Sequence, residues 1–214
     1  MNYAQVRQAL FDIVQQTVAA DLIRASAGNL SMRTADGHLA ITPTSIPYDQ
    51  LAPGEIAIVD LDGNHIDGPC TASSETPMHT AIMRNLPNVG AMCHTHSHYA
   101  MTFAVVGREI PLINTEALMC GAPIPVAPWA SPGSGAGGEV TVKLLRSRPE
   151  LKVVLLRSHG VVAVGEDIHQ AFGHAYNAEV AAQVYYQGLQ IGEPIIITPE
   201  QKQEIYEIYG MAGV

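Results

Sequence analysis

Two Asp-Gly pairs, Asp36-Gly37 and Asp62-Gly63, each sit between short apolar runs of β type. A pair of this kind supplies the backbone angles of a tight hairpin, so each makes the strands on either side of it antiparallel neighbours. The first joins residues 29–33 to residues 38–42, and the second lies inside the run IAIVDLDGNHI. The first third of the chain is therefore expected to form antiparallel sheet. Helical periodicity surrounds it. Val6, Leu10, Ile13, Val14 and Val18 share one face of a helix over residues 3–20. Residues 75–85 read as a helix with Ser73 or Ser74 as its N-cap and Pro77 in its first turn. A buried strand follows at 88–96, then a short helix at 98–106, a short strand at 124–127 closed by Pro128, and a helix at 137–148. Strands at 152–156 and 161–164 precede a long helix at 168–189 and a last one at 199–209. Strands and helices mix without a regular βαβ period. The expected class is α/β, a central and mainly antiparallel β-sheet covered by helices on both sides. No linker-like stretch divides the 214 residues, which reads as a single domain, 1–214.

Charge removes one class of partner. With 11 Lys+Arg against 20 Asp+Glu and a net charge of −9, nothing basic accumulates to neutralise a phosphate backbone, so no nucleic acid is expected. No apolar run approaches the roughly 20 residues of a membrane span, and no signal-like segment opens the chain, so no membrane partner is expected either. Cys70, Cys93 and Cys120 are odd in number and irregular in spacing, which suits reduced, buried thiols in a cytoplasmic protein rather than a disulfide framework or a metal knuckle. Cys93 is the one that adjoins a candidate ligand, His94.

The chemistry concentrates in a few places. In His94-Thr95-His96, at the end of an apolar run, strand alternation sends both imidazoles to one side. Two such nitrogens can grip a zinc-like ion or, equally, serve as hydrogen-bonded structural histidines. A third imidazole comes from His159 in LLRSHGVVAV, where Gly160 lets the backbone run close to an ion. Glu75 starts a helix after two serines, a position where a carboxylate serves either as a cap or as an acid-base group beside an anion pocket. Ser26-Ala27-Gly28-Asn29 and Thr42-Pro43-Thr44-Ser45 are small, hydroxyl-rich loops of the kind that wrap a phosphate. His79, one helical turn from Glu75, is placed to orient it. Glu116, Glu166, Asp167 and Glu179 read as solvated or capping charges, and His38, His65, His169 and His174 as surface or structural residues.

Taken in order, SAGNLS, ITPTSIPYDQL, SSETPMH, HTHSH and SHG, down to Tyr209-Gly210, resemble the class II aldolase/adducin superfamily, and within it the zinc-dependent L-fuculose-1-phosphate aldolases. The resemblance spans nearly the whole chain. It implies a homotetramer with active sites between subunits, with Zn2+ (or Mn2+ or another divalent ion) bound by His94, His96 and His159. Glu75 would complete the coordination at rest and act as base with substrate. Gly28, Asn29, Thr44, Ser45, Ser73 and Ser74 would hold a phosphate, and Tyr209 would serve catalysis from near the C-terminus. The implied reaction is reversible cleavage of a ketose 1-phosphate, a phosphorylated sugar, into dihydroxyacetone phosphate and an aldehyde through an enediolate. A decarboxylase, dehydratase or 4-epimerase of the same superfamily is the alternative. Two positions depart from the pattern: Ser45 replaces a Gly, and Thr115 replaces a Tyr that contacts the aldehyde half. A different or smaller aldehyde follows from the second.

Overall fold

A computed structural model describes residues 3–209 of the chain. Helix α1 (Ala4–Ala19) precedes a run of four strands, β1 (Asn29–Arg33), β2 (Leu39–Ile41), β3 (Ala57–Val59) and β4 (His65–Asp67). Both Asp-Gly pairs do what their chemistry dictates, since β1 pairs with β2 and β3 with β4, each antiparallel. Then come α2 (Thr76–Asn85), β5 (Ala91–Thr95), α3 (His98–Val106), α4 (Thr115–Met119), β6 (Val126–Ala127) and α5 (Ala136–Ser147). The chain ends with β7 (Val153–Leu156), β8 (Gly160–Gly165), α6 (Ile168–Ile191) and α7 (Pro199–Tyr209).

The strands form one sheet in the order β4-β3-β2-β1-β5-β8-β7-β6. It is mixed: every neighbouring pair is antiparallel except β6 and β7. Alternation along the strands splits the core in two. Leu30, Ala91, Cys93, Leu155, Val161 and Ala163 join the layer that holds side chains of α1, α3, α4 and α6. Leu39, Ile41, Met92, Val154, Val162 and Val164 face α2 and α5. Ala171, Ala175, Ala178 and Ala182 are fully buried along α6, and at alternating steps of four and three residues they make a stripe of small side chains against β5 and β8.

Two features put the site where it is. Antiparallel pairing brings the end of β5 level with the start of β1, Asn29 opposite His94, and with the start of β8, Thr95 opposite Val161. The N-terminus of α2 reaches the same end of the sheet. Here the sequence reading needs correction: the residue that caps α2 is Glu75, not Ser73 or Ser74, and its carboxylate makes no capping bond. Ser73 instead closes the preceding turn, accepting the Glu75 N–H on Oγ at 3.2 Å and the Thr76 N–H on its carbonyl at 3.0 Å. Glu75 is thereby free to turn toward the histidines.

Candidate metal centre and phosphate cleft

His94 is the last residue but one of β5 and His96 lies one residue beyond it, so the same-face expectation holds. His159 comes from the turn between β7 and β8. The ring centroids of the three lie 4.7–5.3 Å apart, and one ligand nitrogen from each falls within 4.8 Å of the others. Gly160 makes the approach possible. A Cβ there would stand 2.5 Å from the Thr95 carbonyl oxygen, 2.9 Å from His96 Cδ2 and 3.0 Å from His94 Cε1.

Hydrogen bonding orients the nitrogens. His94 Nδ1 lies 2.9 Å from the Val161 carbonyl, which can only accept, so Nδ1 carries a proton and Nε2 points into the cluster. Nε2 is 2.9 Å from Glu75 Oε2 and 3.1 Å from His96 Nε2. Glu75 Oε1 is 3.3 Å from His159 Nε2 and, although buried, has no hydrogen-bond partner. Burial first, then the neighbouring imidazoles, pushes His96 down to about 4, and burial likewise lowers His159. Burial opposes ionisation of Glu75, but the hydrogen bond and charge of His94, together with the Asn29 amide, outweigh it and hold the carboxyl well below the usual range.

An anionic carboxylate thus faces a cluster of imidazole nitrogens, an arrangement that positive charge between them would stabilise. A divalent ion would provide it, and the orphaned Oε1 and the all-N/O donor set fit one. Two ligand atoms of a tetrahedral zinc stand about 3.3–3.4 Å apart. Three of the separations, at 2.9–3.3 Å, are already close to this, and the three nitrogens all lie within 4.8 Å of one another.

In front of the cluster lies a cleft of about 350 Å³. Glu75, His96 and His159 form its floor, and its walls carry Gly28 and Asn29, Thr44 and Ser45, Ser73 and Ser74. The structure brings these phosphate candidates together through backbone pairing. The Thr44 N–H donates to the Thr71 carbonyl at 3.0 Å and the Ser73 N–H to the Thr42 carbonyl at 3.1 Å. Gly28 has φ +79°, and a Cβ would meet the His94 carbonyl oxygen at 2.7 Å. The Tyr48 hydroxyl donates to the Gly28 carbonyl at 2.6 Å and pins the loop, and burial pushes this phenol up to about 12. Ser45 adopts φ +62°, a left-handed backbone that costs a side-chain-bearing residue, which gives the departure from Gly a physical meaning.

Several expectations resolve differently. Pro132 and Gly133 line the cleft, which the sequence reading missed; the run PWASPGSG signalled a loop but not where it folds. The His79 ring does not reach the Glu75 carboxylate directly: it bonds Ser31 and Asn29. Cys93 points into the opposite core and away from the imidazoles, as an inert thiol. Glu179 caps α3, accepting the Tyr99 and Ala100 N–H groups. Tyr209, the last described residue of α7, is 69% exposed and outside the cleft lining, while Gly210 lies outside the described residues. Thr115 is exposed at the start of α4.

The chain matches the model of the class II aldolase and adducin N-terminal domain over residues 8–186. It is 30% identical over 208 residues to a 5-deoxy-D-ribulose 1-phosphate aldolase of Bacillus thuringiensis serovar kurstaki, covering 95% of this chain and 96% of that one. It is 31% identical to the L-fuculose phosphate aldolase of Escherichia coli K12, covering 99% and 98%. Among solved structures, an L-fuculose 1-phosphate aldolase superposes with a TM-score of 0.90 at 26% identity over 98% of both chains.

Proposed function

The chain belongs to the class II aldolase and adducin N-terminal domain family and is an aldolase; on that premise we propose that it reversibly cleaves a ketose 1-phosphate into dihydroxyacetone phosphate and an aldehyde. The observation that carries this reading is a cluster of three imidazoles and an anionic carboxylate with a bare oxygen, set at the floor of a cleft whose hydroxyl-rich loops face a helix N-terminus. Relatives named for L-fuculose and 5-deoxyribulose phosphates support the substrate class.

His94, His96 and His159 would hold the divalent ion, zinc in this reading, with Glu75 as the resting fourth ligand. When bound, the ion supplies a Lewis acid for the negative charge that develops on the substrate oxygens as C3–C4 breaks, worth several kcal/mol of barrier. Ser73, Ser74, Thr44 and Ser45 offer hydroxyls, and Gly28 and Asn29 offer an N–H and an amide, to the phosphate; the N-terminus of α2 adds its dipole. Among the described residues no Lys or Arg lines this cleft, so a phosphate there would be held by dipoles. In the condensation direction the Glu75 carboxylate would take a proton from C3 of dihydroxyacetone phosphate to give the enediolate, and in cleavage the same group, then a carboxylic acid, would return it. As the aldehyde oxygen becomes the C4 hydroxyl it must gain a proton, which the Tyr209 phenol would give; cleavage reverses both transfers. Since Tyr209 lies outside the cleft of its own chain, this role assigns it to a neighbouring subunit's site in a homotetramer. Thr115, small where the family resemblance implies a Tyr, would fit a different aldehyde pocket.

The test offers L-fuculose 1-phosphate and 5-deoxyribulose 1-phosphate to the zinc-loaded and chelator-stripped protein and follows dihydroxyacetone phosphate. Release from at least one substrate, lost on chelation and regained on adding zinc, is expected. Full activity after stripping, or products containing CO2 or an intact epimerised chain, would sink the reading.

A further inference from the structure

α2 contributes a fourth imidazole, whose role differs from that of the three at the metal centre. His79 is fully buried against the sheet, one turn beyond Glu75, in a layer otherwise made of Met78, Ile82, Met83 and Met92. Its Nδ1 lies 2.6 Å from Ser31 Oγ and its Nε2 lies 2.5 Å from Asn29 Oδ1. Asn29 Nδ2 lies 3.0 Å from Glu75 Oε2. Asn29 and Ser31 alternate with Leu30 on β1 and so present the same face to α2. The result is a continuous chain, Ser31 to His79 to Asn29 to Glu75, with every member buried.

The direction of each bond follows from the last one. The Glu75 carboxylate can only accept, so the Asn29 group that faces it is the NH2. The Asn29 oxygen then faces His79, and it too can only accept, so His79 Nε2 carries the proton. A neutral imidazole has one N–H, which leaves Nδ1 as acceptor and the Ser31 hydroxyl as its donor. Burial keeps the ring neutral, with its pKa pushed down to about 3. Polar groups in so apolar a layer are tolerated when they are paired, and here the polar side-chain atoms of Ser31, His79 and Asn29 all are.

We propose that His79 is a positioning residue which, as its Nε2–H tautomer, locks the Asn29 amide in the orientation that donates to Glu75 Oε2 and so reserves Oε1 for the proton exchanged with substrate C3. Asn29 is the one donor to the Glu75 carboxylate from outside the imidazole cluster among the described residues. Without the His79 N–H, the amide can turn over and set its oxygen against the carboxylate. Oε1, buried and without a hydrogen-bond partner, is the atom left free. The inference rests on the reading of Glu75 as the group that acts at C3.

The first measurement needs no variant. In zinc-loaded protein labelled with 15N-histidine, long-range proton–nitrogen correlation is expected to show His79, identified by its loss in His79→Gln, protonated at Nε2 and bare at Nδ1 from pH 6 to 8. An Nδ1–H ring, or a doubly protonated one at pH 7, overturns the proposal. The second measurement is kinetic. His79→Leu is expected to lower kcat about 10–100-fold with one zinc per chain retained and KM within about twofold, while His79→Gln, which keeps a donor, recovers about tenfold of that loss. Unchanged kcat in a folded Leu variant, or a Gln variant no better than Leu, also overturns it. The two readings fail separately. If Glu75 is not the base, Glu75→Gln keeps its turnover while the His79 tautomer stands; if the relay is wrong, Glu75→Gln loses turnover while the tautomer is reversed.

Discussion

Gly160→Ala probes how the metal centre is built without altering any ligand. The added methyl would stand 2.5 Å from the Thr95 carbonyl oxygen, a backbone atom fixed in the sheet, and about 3 Å from carbon atoms of both His96 and His94. Ordinary contact for such pairs is about 3.4 Å or more, so either β8 moves out by several tenths of an ångström or both rings are pushed aside. Overpacking of this kind costs about 1–3 kcal/mol. For a chain of this size each kcal/mol lowers the unfolding midpoint by about 2–4 °C. Because the displaced atoms belong to two proposed ligands, zinc affinity is expected to fall about 10–100-fold as well, or about 1.4–2.7 kcal/mol. Competition with a chromophoric chelator reads the affinity, and thermal unfolding of the stripped protein reads the packing cost. A variant with wild-type zinc affinity and an unchanged midpoint would refute the argument that Gly160 is required by close approach to the rings.

Two further outcomes follow from the same geometry. Ser45→Gly relieves a left-handed backbone at φ +62° that costs a side-chain-bearing residue about 1–2 kcal/mol, against about 0.5–1 kcal/mol of extra chain entropy, so denaturant titration should show a gain of about 0.5–1 kcal/mol; a loss would mean that the Ser45 side chain contributes more than its backbone costs. The metal-free protein should lose stability on acidification. His79 has a folded pKa of about 3 against an ordinary value near 6.5, so below about pH 6.5 the unfolded chain binds a proton that the folded chain refuses. Its contribution is complete above that pH and falls by about 1.4 kcal/mol per unit toward pH 3. Glu75, with its folded pKa lowered, adds a loss of the same sign only below its unfolded value of about 4.5. Urea midpoints measured from pH 8 to 4.5 should therefore stay level and then drop below pH 6.5, and a flat profile would contradict a buried neutral His79.

How much could be read from the residues depended on whether the signal was local. The Asp-Gly pairs, the periodicity of α1 and the parity of His94 and His96 are properties of a few adjacent residues, and the structure bears them out. Glu75 shows the limit. A carboxylate after two serines is locally a cap, and only the arrival of the ends of β5 and β8 beside α2 gives it imidazoles to face instead. His79, Ser31 and Asn29 are farther from reach of the sequence, because their bonds join β1 to α2 across 46 to 50 residues of chain. Nothing local in residues 128–135 tells where that stretch folds, and the place of Pro132 and Gly133 in the cleft lining is tertiary. The parallel pairing of β6 was equally hidden: with two residues the strand has no periodicity to read.

The central claim, that Glu75 beside a three-histidine metal centre moves the proton at C3, is tested most directly by following the exchange of one hydroxymethyl hydrogen of dihydroxyacetone phosphate for deuterium in heavy water. This reads the proton transfer alone, without the aldehyde. The account predicts exchange by the zinc-loaded protein, none after chelation, and, in Glu75→Gln, zinc retained with exchange reduced by a factor of about 100 or more. Wild-type exchange by the stripped protein, or by zinc-loaded Glu75→Gln, would contradict it.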